Sequence, residues 1–188
     1  MYPSPSTDGK RLFALGQELR GELMRYESKP DRFASFLSGI SAWGLDFSLD
    51  GKWVVYITYP QGELWRSRVD GSERQQLVKN SLEVYLPHFS PDGKTVALMG
   101  RKPRENWKIY LLPADGGVPK PLDEGSAKEF DPTWSPDGNA IAFGGQYGDH
   151  DAGIRIVDLK TRKVSELPDS KGLFSPRGGR PTAAISQL

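Results

Sequence analysis

Four aspartates recur along this chain in the same company: Asp8, Asp50, Asp92 and Asp137, each followed by a glycine, Gly9, Gly51, Gly93 and Gly138. Carboxylates brought to one point can hold a divalent cation. One carboxylate per repeated unit has a plainer use. An Asp before Gly accepts hydrogen bonds from the amides of its own turn while the glycine takes the positive φ, so these eight residues read as structural turns. Asp149-His150-Asp151 is a second group with metal-ligand residue types, and its place between Gly148 and Gly153 reads as a solvated hairpin loop. His88 stands before Phe89 on an innermost strand, where it either lines a central channel or is buried with a hydrogen-bond partner.

Other chemistries lack their residues. There is no Gly-x-Ser-x-Gly elbow, no P-loop, no Gly-x-Gly-x-x-Gly run and no kinase motif. With two histidines and no cysteine, thiol catalysis and disulfides are excluded, and no pair of carboxylates is placed together for general acid–base work. The expectation is a chain with no catalytic residues, no cofactor and no metal, and not an enzyme.

The elements that carry these turns form a repeat. The turn glycines lie 42, 42 and 45 residues apart, and a fixed period of that size marks an array of supersecondary units. Each turn leads into a short apolar run, such as Trp53-Val54-Val55-Tyr56-Ile57 or Thr95-Val96-Ala97-Leu98-Met99, too brief for a helix and read as a buried strand. An alternating segment follows, such as Trp107-Lys108-Ile109-Tyr110-Leu111-Leu112, then a second turn such as Asp70-Gly71, then a last strand. Four antiparallel strands in about 40 to 45 residues are the size of one propeller blade.

The motif Phe89-Ser90-Pro91-Asp92-Gly93-Lys94, with Trp134-Ser135-Pro136-Asp137-Gly138-Asn139 and Phe47-Ser48-Leu49-Asp50-Gly51-Lys52, resembles the repeat of TolB-type, WD-repeat-like bacterial β-propellers. The resemblance covers about residues 5 to 172, and Pro5-Ser6-Thr7-Asp8-Gly9-Lys10 is its degenerate first copy. It implies an all-β propeller of about four four-stranded blades, with units at about 5–40, 43–82, 85–126 and 130–170. The stretch from Arg11 to Leu77 is most similar to propellers at the carboxyl ends of bacterial regulators or serine/threonine kinases. The implied function is a non-catalytic module for protein or peptide interaction or sensing within a larger bacterial protein. The alternative is the gating propeller of a prolyl-oligopeptidase-like peptidase without its catalytic domain.

Residues 173–188 read as a degenerate or truncated start of a further unit: Gly178 falls 40 residues after Gly138, but Arg177 replaces the aspartate and no β run follows. Unpaired edges are avoided in natural sheets, so an open arc or a fragment of a larger propeller is expected, prone to self-association through its open blade edges. The net charge of +1 does not favour nucleic acid, and no apolar run is long enough to span a membrane. The sequence shows no signal peptide; a TolB-like or receptor-propeller origin implies the periplasm, any other the cytoplasm. Tyr59, Arg101, Arg104 and Tyr147 fall in the same interstrand loop of successive units, and residues of these types suit a partner-contact rim.

Overall fold

Apolar runs of five or six residues between Asp-Gly turns can bury two faces only as strands sandwiched between neighbours. The computed structural model describes residues 3–14, 20–37, 39–79, 82–123, 128–146 and 152–173, and among them there is no helix. The first unit holds β1 (Ser4–Pro5), β2 (Leu12–Phe13), β3 (Met24–Glu27) and β4 (Arg32–Ser35). The second holds β5 (Ala42–Phe47), β6 (Trp53–Thr58), β7 (Leu64–Arg68) and β8 (Gln75–Gln76). The third holds β9 (Glu83–Phe89), β10 (Thr95–Arg101), β11 (Lys108–Pro113) and β12 (Lys120–Pro121). The fourth holds β13 (Lys128–Trp134), β14 (Ala140–Gln146), β15 (Gly153–Asp158) and β16 (Val164–Glu166). In the last three units the strands lie in chain order across one antiparallel sheet.

The same hydrogen bonds recur in each unit. The amides of Phe36, Leu77, Leu122 and Leu167 donate to the carbonyls of Leu23, Leu64, Ile109 and Ile154, which fixes these residues as equivalent. Gly9, Gly51, Gly93 and Gly138 each donate to the carbonyl of Ser6, Ser48, Ser90 or Ser135 at φ between 67 and 73°. The innermost strands β5, β9 and β13 each carry one extra residue against their partner. At that β-bulge Gly44, Leu86 and Asp131 adopt φ of 61, 48 and 50°, in each case directly after an aromatic: Trp43, Tyr85 or Phe130.

Blades pack face to face. On β6, Val54 and Tyr56 join Leu23 and Leu37 of the first unit, whereas Val55 and Ile57 join Val96, Leu98 and Leu112 of the third; all four β6 residues are fully buried. Each such side chain contributes about 1.5–3 kcal/mol of transfer free energy. On the other face of β10, Ala97 meets Ile141 and Phe143 of the fourth blade. β5 lies beside β9 and β9 beside β13, so the sheets fan out from their innermost strands as an open, incomplete propeller.

The first unit differs from the other three. Among the described residues no ladder joins β2 to β3, and the unit stands as two hairpins, β1–β2 and β3–β4. β1 is two residues long and includes Pro5, which brings no amide donor to a ladder. Consequently Leu12, Phe13, Met24, Tyr26 and Phe33 are 48–68% exposed. The turn bonds make Leu12 the counterpart of Val54, Val96 and Ile141, which are fully buried.

Candidate functional site

The aspartates of the turns are committed locally. Asp50, Asp92 and Asp137 each accept from the serine hydroxyl two residues back, at 2.6 Å, and from the amide two residues on, at 2.9–3.1 Å. Asp8 repeats both contacts in the first unit. The Ser135 hydroxyl and then the Asn139 donors hold Asp137 at a pKa of about 2. Serine and amide donors lower Asp8, Asp50 and Asp92 in the same way. Among the described residues no three His, Cys, Asp or Glu side chains come together as a metal site. Asp149-His150-Asp151, Tyr147 and residues 174–188 lie outside the described residues.

The innermost strands are tied to one another by polar contacts. Asp46 Oδ2 accepts from the Phe89 amide at 2.9 Å and lies 3.5 Å from His88 Nδ1. The indole Nε1 of Trp134 in turn donates to the His88 carbonyl at 3.1 Å. His88 is thus a half-buried joint between successive blades. One seam also holds a buried carboxylate, Glu129, which is 1% exposed and accepts from the Ile109 amide at 2.8 Å. Burial pushes its pKa up to about 7; Asp123 adds to the rise, and the Ile109 bond, Lys108 and Arg155 oppose it.

The edge opposite the Ser-Asp-Gly turns is formed by the β6–β7 and β10–β11 loops and by the starts of β5, β9 and β13. Tyr59, Arg101 and Arg104 all fall there: Tyr59 half-buried in the first loop, Arg101 at the end of β10, Arg104 exposed in the second loop with φ 67°. Arg101 donates to Glu83 Oε2 through Nε and a terminal nitrogen, at 3.1 and 2.6 Å, and its guanidinium lies 4.4 Å over the ring of Trp107. From Trp107 an aromatic row runs inward, edge-on to Tyr85 at 5.1 Å and on to Trp43 at 4.7 Å.

Two clefts open on this edge. One, of about 570 Å³, lies between the second and third blades and is lined by Trp43, Tyr59, Glu63, Lys79, Glu83 and Tyr85 among others. The second, of about 690 Å³, faces the first unit and is lined in part by Arg20, Glu22, Ile40, Arg74 and again Tyr59 and Glu63. Loop 59–61 is the wall between them. Loop order along the repeat places Tyr59 and Arg101 on this edge. Trp43 and Trp107 recur at repeat positions in the sequence as aromatics expected to pack between blades, whereas their joining through Tyr85 into one row, and the burial of Glu129, are made by contacts the repeat pattern does not carry. Among the described residues no helix is long and apolar enough to cross a membrane.

No family model matches the chain. An uncharacterized protein of Agrobacterium fabrum is 31% identical over 83 residues, a match covering 39% of this chain and 28% of that protein. Among solved structures, a protein described as TolB from Agrobacterium tumefaciens superposes with a TM-score of 0.64 at 19% identity, over 82% of this chain and 56% of its own. TolB from Acinetobacter baumannii gives 0.64 at 20% identity, over 90% and 43%. Puromycin hydrolase gives 0.57 at 16% identity, over 70% and 22%. The chain spans about half the length of the TolB structures and less than a third of the relative matched by sequence. These likenesses show the fold: the chain is folded like part of the β-propeller seen in the TolB structures.

Proposed function

We propose that this chain is a non-catalytic propeller module that binds a protein or peptide partner within a larger bacterial regulatory protein, and that the edge carrying Tyr59, Arg101 and Arg104 is its contact surface. The supporting observation is the row Trp43, Tyr85 and Trp107 opening into a cleft on that edge, because half-buried aromatics beside arginine are the side chains that anchor interfaces. The turn carboxylates, by contrast, are spent on their own backbone. Selection of a random peptide library on the whole chain tests the reading: enriched peptides should lose binding to Tyr59→Ala and Arg104→Ala. Enrichment that neither variant changes sinks it.

A gating propeller beside a peptidase is a second reading, favoured by the likeness to puromycin hydrolase. A hydrolase region encoded in the same longer reading frame decides for it. A kinase or DNA-binding region there decides for the regulatory module.

A further inference from the structure

We propose that the cleft between the second and third blades, walled by Trp43, Tyr59, Tyr85, Glu63 and Glu83, binds the guanidinium of an arginine side chain carried by a polypeptide partner. The chain has five tryptophans, and three already carry an arginine. Arg66 and Arg68 each lie 4.1 Å over Trp53, Arg74 lies 4.4 Å over Trp65, and Arg101 lies 4.4 Å over Trp107. Trp134 gives its Nε1 to the His88 carbonyl and packs between the third and fourth blades. Trp43 is left. It is half-buried at the cleft, and among the described residues no cation stacks on it.

Arg101 shows what a guanidinium needs in this row: a ring face, here Trp107, and a carboxylate, here Glu83. The cleft supplies the same two things again. Trp43, Tyr59 and Tyr85 provide rings and Glu63 provides a carboxylate, whereas Glu83 is already held by Arg101; Lys79 is the one cation of the lining. A guanidinium is planar and weakly hydrated, so it stacks on an indole with less desolvation than a compact ammonium does. The cavity of about 570 Å³ exceeds what one side chain occupies, which leaves room for the flanking backbone of the segment that carries it.

This inference rests on the reading of the edge as a binding surface, and its test separates the two. The whole chain, labelled with ¹⁵N, is titrated with short acetylated and amidated Gly/Ser peptides holding one central arginine, lysine or citrulline. The Trp43 indole resonance is identified by its loss in Trp43→Phe. The arginine peptide should shift that resonance saturably, the lysine peptide should bind more weakly, and the neutral citrulline peptide about tenfold more weakly. Glu63→Gln keeps an acceptor for the Trp65 Nε1, which Glu63 Oε2 receives at 3.0 Å, and removes the charge. It should weaken the arginine peptide about three- to tenfold. Citrulline or lysine binding as well as arginine would overturn the guanidinium site and leave the binding edge intact. Shifts at every indole except that of Trp43, or none at millimolar peptide, would also overturn it.

Discussion

The Ile109 amide donates to the Glu129 carboxylate at 2.8 Å, across the seam between the third and fourth blades, where the matching positions of the two preceding blades hold Ala42 and Val84. A charge-bearing group therefore occupies a site the repeat otherwise fills with apolar side chains.

That contact predicts a pH dependence. Glu129 titrates at about 7 in the folded chain and near the ordinary 4.5 when unfolded. Between these values the folded chain binds the extra proton, so this group's contribution is most favourable below pH 4.5, declines as pH rises toward 7 and is flat above. Glu129→Gln should remove the slope and stabilise the chain above pH 7 by up to about 3 kcal/mol, read from denaturant unfolding at acid and alkaline pH. A variant no more stable than the parent at pH 8 refutes the assignment.

The turn serines should differ in weight. Ser135 is 2% exposed, donates to Asp137 at 2.6 Å and accepts from the Ala140 amide at 2.9 Å. Ser135→Ala leaves that buried amide without its acceptor and should cost about 1–3 kcal/mol. Ser6 makes the same bonds in the exposed β1–β2 hairpin, and Ser6→Ala should leave the thermal midpoint unchanged. Equal losses in the two variants would mean that the first hairpin is as firmly assembled as the fourth blade.

Gly100 on β10 is a packing requirement. A Cβ there would stand 2.8 Å from Tyr110 Cδ2 and 3.2 Å from methyls of Leu82 and Leu98. Gly100→Ala should destabilise by about 1–3 kcal/mol, as overpacked cores do. Calorimetry showing no loss would place slack at this seam.

The exposed hairpin of the first unit should drive self-association. The rings of Tyr26 and Phe33 lie 5.5 Å apart on one face of β3–β4 and are 55 and 68% exposed. Replacing both by serine should lower the mass seen by light scattering after size exclusion, if the parent associates through this face. A parent mass that the double variant leaves unchanged assigns any association to another surface.

The sequence carried the local features well. A Ser-x-Asp-Gly turn is written within six residues, and the alternation in Trp107–Leu112 follows from a pleat of period two. Features made by one blade against the next were harder. Glu129 sits in Lys128-Glu129-Phe130-Asp131, which reads as polar alternation, and its burial depends on an amide of another blade. Pro87 and Pro132 fit the bulges of β9 and β13, since proline within a sheet is confined to edge strands, strand starts and bulges, and these two strands are both bulged and at the edge of their sheets. The first unit has the pattern of a blade without its assembled sheet, because pattern specifies which face is apolar and not whether a neighbour covers it.

Loop 59–61, the partition between the two clefts, cannot lean into one without enlarging the other. Occupants of the two clefts would therefore share a single wall. Whatever factor one imposes on the affinity of the second, the second must impose on the first, so titrating either ligand against a saturating amount of the other measures a single coupling free energy from both directions.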